Sequence, residues 1–304
     1  MKNRKKIFIS FFLIILTVTT FMLTYLYQRL SQSQIEKEDN IEIVTSFYPM
    51  YIAAMNLLDG VDGVSLDNLS EPQTGCLHDY QLTPEDMKLL STADVFIYNG
   101  GGIESFIADI AKAYPHLVMI NAGEDVPMLE DNSHFWMSVP RYQMQVANIQ
   151  KGLTSVISDV DGQKKINQNA KVYSEQLDDL IFQQQSIKQQ VQGRQIIIFH
   201  EAYAYVADDY GLKVAYLMDL DEERQISAGE VADVISAIQT NHIATIFAEQ
   251  QYGQKMGETV MSQTDAKVYY LNTLVRSNGS YDANDYLKQM QDNITMIKRA
   301  LEVE

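Results

Sequence analysis

VQGRQIIIFHEAYAYVADDYGLKVAYLM, residues 191–218, marks the point where a long helical pattern gives way to alternating strands and helices. Upstream, from Ile166 to Val191, the residues Val172, Leu177, Leu180, Ile181 and Ile187 recur among Gln, Lys and Glu with no Gly or Pro, which predicts one continuous helix. QGR ends it. QIIIFH then reads as a strand, the run through Tyr210 as a helix and KVAYLM as the next strand. His200 and Glu201 begin as an H-E-x-x-H metalloprotease helix would, but residue 204 is alanine, so the second histidine of that motif is missing.

The same alternation extends both ways. Downstream come a helix over 228–240, the strand ATIFAE, another helix, the strand KVYYLN and a terminal helix over 282–301. Upstream, IEIVTSF, VSLDNL, DVFIYNGGG and HLVMINAG read as strands, with helices over 51–58, in LTPEDMKLL and over 141–160. In LTPEDMKLL, Thr83 is placed to cap the helix, with Pro84 at its first position and Asp86 three residues on. Gly100, Gly101 and Gly102 carry no G-K-[ST] after them and no G-x-G-x-x-G spacing, so they predict a tight turn rather than a phosphate cradle. Two alternating runs joined by a long helix predict two parallel-sheet α/β lobes, residues 41–162 and 194–304, on a rigid spine helix over 163–193.

Ahead of these lobes, Lys2, Arg4, Lys5 and Lys6 precede an uncharged, largely apolar run from Ile7 to Tyr27. A bilayer span needs about 20 such residues. The basic residues orient its start toward the cytoplasm. No small-residue cleavage site follows, so the sequence predicts an uncleaved N-terminal transmembrane helix within residues 1–30 and a polar tether over 31–40. The folded part is then extracytoplasmic. A net charge of −17 with 46% hydrophobic and 21% charged residues describes a folded, acidic protein and argues against nucleic acid as a partner. The single cysteine, Cys76, allows no internal disulfide and does not directly follow the apolar run.

Five histidines remain to be placed. His116 and His242 have ordinary structural or surface readings. His78, His134 and His200 each follow a predicted strand or its loop, two in the first lobe and one in the second. Ligands in open α/β sheets gather beyond the carboxyl ends of strands, so these three are candidates to meet between the lobes. Taken singly, each reads more readily as an ordinary histidine than as a ligand.

The strings HDYQLTPEDMKLLSTADVFIYNG around His78, DNSHFW around His134 and FHEAYAYVADDYGL around His200 resemble the metal-binding substrate-binding proteins of bacterial ABC importers, the zinc and manganese family of cluster A-I. The resemblance runs from Ile41 to Leu301 and includes VTSFYP, ERQISAGEV, IFAEQQY and LNTL. It implies two α/β lobes joined by a long helix, with one divalent metal held between them by His78, His134 and His200. The family's acidic fourth ligand stands in a string such as L-D-P-L. Here Asn272 occupies that position, which leaves the fourth place to water, Asn272 or Glu249, with Cys76 a distant choice. Glu201 and Tyr80 are candidates for supporting hydrogen bonds.

Three imidazoles suit Zn²⁺ in tetrahedral geometry, whereas Mn²⁺ favours carboxylate oxygen. The expected function is capture of Zn²⁺ as transported cargo, by a monomer, and its delivery to an ABC-importer permease; the chain is not expected to be an enzyme. Two other classes share some features. A zinc hydrolase also uses three histidines and a water, but no further catalytic constellation is present. A surface adhesin is compatible with the anchor and the acidic exterior, although no residue requires it.

Overall fold

A computed structural model describes residues 15–28, 40–69, 80–220, 225–275 and 280–303. The chain forms two compact units, residues 1–41 and 42–304. In the first, residues 15–28 form a helix, α1, whose side chains are exposed. Residues 7–14 of the predicted membrane span, and most of the tether, lie outside the described residues. Among the described residues, no helix is long and apolar enough to cross a membrane.

The second unit contains both lobes and the helix between them. Each lobe is built on a four-stranded sheet. The first sheet comprises β1 (Ile41–Thr45), β2 (Val64–Asn68), β3 (Val95–Tyr98) and β4 (Val118–Asn121), in the order β2-β1-β3-β4. The second comprises β5 (Gln195–Ile198), β6 (Lys213–Leu217), β7 (Thr245–Ala248) and β8 (Lys267–Tyr270), in the order β6-β5-β7-β8. Parallel pairing sets Ile43 beside Val95 and Val95 beside Val118 in one sheet, and Ile198 beside Phe247 and Phe247 beside Tyr269 in the other. Both sheets therefore reverse their winding at the same place, between the first and third strands of the lobe. The crevice outside the carboxyl ends at such a reversal is where an open α/β sheet binds ligands.

Helices cover the sheets: α2 (Tyr48–Leu58), α3 (Pro84–Thr92), α4 (Ile107–Ala113) and α5 (Val139–Val156) in the first lobe, and α7 (Tyr203–Tyr210), α8 (Ala228–Asn241), α9 (Gln250–Gln263) and α10 (Asp285–Ala300) in the second. Thr83 caps α3 in a reciprocal box with Asp86, with Pro84 in the first turn, as the sequence predicts. The glycine turn is a steric requirement. Gly100, Gly101 and Gly102 all have positive φ, and a Cβ on Gly100 would stand 2.1 Å from Asn121 Oδ1.

Between the lobes in sequence runs α6 (Val160–Val191), 32 residues long and capped by Asp159, whose carboxylate accepts the Gly162 N–H. It begins three residues before the predicted start at 163 and extends about 48 Å at 1.5 Å per residue. Its buried face is Ile166, Ala170, Tyr173, Leu177, Leu180, Gln184, Ile187 and Val191, a regular alternation of four- and three-residue steps. Val172, one of the apolar residues of the predicted helix, is 53% exposed. The phase is set by α2, α5, α7 and α10, all of which pack on α6.

Candidate metal centre

β4 ends at Asn121, and residues 122–131 lead from it to the tripeptide Asn132–Ser133–His134 and a 3-10 turn, Phe135–Met137. This segment is buried throughout. It is held from below by Asn99, directly after β3, whose side-chain amide donates to Ser133 O at 2.9 Å. Asn99 is positioned in turn by Gln145, which donates to its Oδ1, and by Glu104, which accepts the Asn99 N–H at 2.6 Å. Glu104 also accepts from the Ser46 hydroxyl, beyond the end of β1, and from Gly100 N–H. Burial pushes its carboxyl up to about 7, against the opposing pull of those three donors.

Trp136 continues the segment into the second lobe. Its indole N–H donates to Thr273 O at 2.7 Å, and its own carbonyl accepts from the Tyr286 hydroxyl at 2.8 Å. The ring of His134 is thereby directed at the loop that follows β5. There His200 is buried, and the two ring centroids lie 5.2 Å apart at 86°. His134 Nδ1 is 2.8 Å from Asn132 Oδ1 and 3.2 Å from Glu201 Oε1. His200 Nδ1 accepts the Ala202 N–H at 3.0 Å, and its Nε2 faces Glu249, directly after β7, with Oε2 at 3.9 Å. Glu249 Oε1 accepts from the Thr273 hydroxyl at 3.1 Å. His200 and Glu249 thus flank the winding reversal of the second sheet.

The structure brings two predicted ligands, His134 and His200, together and sets a third candidate, Glu249, beside them. His78 and Cys76 lie outside the described residues, and among those described no group of three His, Cys, Asp or Glu side chains has metal-holding geometry. The Asn272 side chain is turned to its own loop: Oδ1 accepts the Leu274 N–H at 2.7 Å, supporting the positive φ of Leu274. The Tyr80 hydroxyl is 2.8 Å from Asp86 and 3.1 Å from Leu69 O, a role at the start of α3. His116 is exposed beside Tyr114, and His242 closes α8 in the left-handed region. Asn132 is the residue that sequence reasoning overlooks. Its signal is its place two residues before His134, where an Asn side chain folds back on the N–H that follows.

Two imidazoles from opposite lobes thus stand edge to face, with a carboxylate beside each. Residues 43–300 match the family described as ZnuA, zinc-uptake complex component A, periplasmic. The chain is 26% identical to the high-affinity zinc uptake system protein ZnuA of Bacillus subtilis over 88% of this chain and 90% of that protein. It is 28% identical to the iron-binding protein YfeA of Yersinia pestis, over 78% and 79% of the two chains. In fold it resembles the substrate-binding protein FpvC of Pseudomonas aeruginosa, solved with Mn²⁺, at a TM-score of 0.76 and 22% identity, over 86% of this chain and 99% of that one. The strand order, the paired lobes and the extent of the match lead to one assignment: the chain belongs to the ZnuA family of periplasmic metal-uptake components.

Proposed function

We propose that this protein captures Zn²⁺ outside the cytoplasm between its lobes, through His78, His134 and His200, and delivers it to the permease of an ABC importer. The family is one of metal-binding transport components, and the protein is not an enzyme. One observation carries the proposed site. Two imidazoles bound through nitrogen at about 2.1 Å to one tetrahedral ion have ring centroids about 5 Å apart. The His134 and His200 rings stand 5.2 Å apart.

His78 completes the three imidazoles in this reading, and Glu249 is better placed than Asn272 for the fourth position, because the Asn272 oxygen already accepts a backbone N–H. A water is the remaining candidate. Nitrogen donors favour Zn²⁺ over Mn²⁺. The apolar run Ile7–Tyr27 would hold the lobes to the outer face of the membrane, and residues 41–162, 163–193 and 194–304 are the proposed divisions of the folded part. Calorimetry with Zn²⁺ tests the ligand set. Replacement of His78, His134 or His200 by Ala is expected to weaken binding at least about 100-fold each, the scale on which even supporting partners act. Unchanged affinity in His134→Ala and His200→Ala would overturn it. Elemental analysis of the purified protein, followed by competition with Mn²⁺, tests the choice of ion.

A further inference from the structure

The hydrogen bonds around His134 fix the role of its Nδ1. Asn132 donates from Nδ2 to Glu201 O at 2.8 Å, and a carbonyl can only accept. Its Oδ1 lies 3.1 Å from the His134 backbone N–H, which can only donate. The two ends of the amide are therefore fixed without reference to the ring. Since Oδ1 also lies 2.8 Å from His134 Nδ1, that nitrogen must carry the proton, shared with Glu201 Oε1 at 3.2 Å. In the neutral ring Nε2 then carries the lone pair.

We infer that Asn132 and Glu201 form a bracket across the lobes that fixes the tautomer and direction of His134, making the first lobe's ligand depend on the position of the loop that carries the second lobe's ligand. The inference rests on the reading of His134 as a ligand. Asn132 and His134 belong to the first lobe, whereas Glu201 follows His200 directly in the second. The Tyr205 hydroxyl of α7 donates to Asn132 O and accepts Leu129 N–H, so the bracket has a second cross-lobe tie. An N–H donated to a carboxylate or carbonyl orients an imidazole and raises the basicity of its other nitrogen. Glu201 and Asn132 are thus positioning residues. When the His200 loop moves away, His134 loses the carboxylate and the amide loses its anchor, so the two ligand arms assemble and come apart together.

The test uses the full chain and four variants, Asn132→Ala, Asn132→Asp, Glu201→Ala and Glu201→Gln. Long-range ¹H–¹⁵N spectra after chelation read the His134 tautomer, and a chelator competition reads Zn²⁺ affinity and release. The wild type should show the proton on Nδ1. Asn132→Ala should move a large part of it to Nε2 and weaken Zn²⁺ binding about 10–100-fold. Asn132→Asp keeps an acceptor for the ring but sets a carboxylate against Glu201 O, so the tautomer should persist while Zn²⁺ release accelerates. Glu201→Ala should weaken binding, and Glu201→Gln, which retains an accepting oxygen, should restore most of it. Glu201 is 29% exposed, so these last two variants are expected to fold normally. Either a wild-type proton on Nε2 or equal losses in Glu201→Ala and Glu201→Gln would overturn the bracket. The tautomer is read without added metal, so failure to bind Zn²⁺ at all would count against the site reading and leave this result standing.

Discussion

At Glu104, burial and hydrogen bonding pull in opposite directions, and burial wins. The carboxyl is raised to about 7 by desolvation although Asn99 N–H, the Ser46 hydroxyl and Gly100 N–H all favour its charged form. The folded protein therefore holds a proton here that the unfolded chain releases near 4.5. Stability from this group is fully present below the unfolded value and is lost as pH rises toward 7, at about 1.4 kcal/mol per pH unit within that window. Asp209, raised to about 7 by burial against the opposing Ser138 and Arg141, acts in the same direction. Urea unfolding from pH 4.5 to 8 should show this decline, and Glu104→Gln should flatten it; an identical slope in the variant would contradict the assignment. None of this was legible in the sequence. Glu104 reads there as one more surface acid, because nothing local shows that the strand ends β1 and β3 enclose it.

Among the elements, α6 shows how far periodicity goes. The absence of Gly and Pro after the first turn and the recurrence of apolar residues were sufficient to predict a helix. They were not sufficient to set its phase. Val172 is more apolar than Ala170 or Gln184, yet the four-three ladder that faces α2, α5 and α10 takes those two and leaves Val172 outside. Leu177→Ala, at a fully buried position, should cost about 2–5 kcal/mol. Val172→Lys should change stability by less than about 0.5 kcal/mol. Chemical denaturation of the two variants tests this phase. The cap of α3 is the contrary case: Thr83, Pro84 and Asp86 act within one turn, so their role could be read directly.

For the whole molecule, the lobes are joined by bonds that are themselves buried. Trp136 donates to Thr273 O, Tyr286 donates to Trp136 O, and the rings of Tyr142 and Tyr286 stack at 3.6 Å. On the α7 side, Ser138 donates to Asp209, and at the surface Arg141 pairs with the exposed Asp208 at 2.9 Å. Opening the molecule as a hinge would exchange these bonds for bonds to water and expose the stacked rings, at a net cost of about 0.5–1.5 kcal/mol for each hydrogen bond. Metal capture is therefore expected to proceed by loop movement near His200 and not by wide closure. X-ray scattering profiles with and without Zn²⁺ should superimpose, and a marked contraction on adding the ion would contradict this.

By itself the sequence determined the alternation of strands and helices, the long helix between the two runs, the cap of α3 and the three histidines worth following. These properties arise from neighbouring residues, through side-chain period, backbone preference and short motifs. The tertiary structure alone decided the common strand order of the two sheets, the placing of His200 and Glu249 at one winding reversal, and the approach of His134 to His200 across the lobes. It also decided the role of Asn132. Those outcomes depend on contacts between segments far apart in the chain, whose meeting is set by which faces can be buried together.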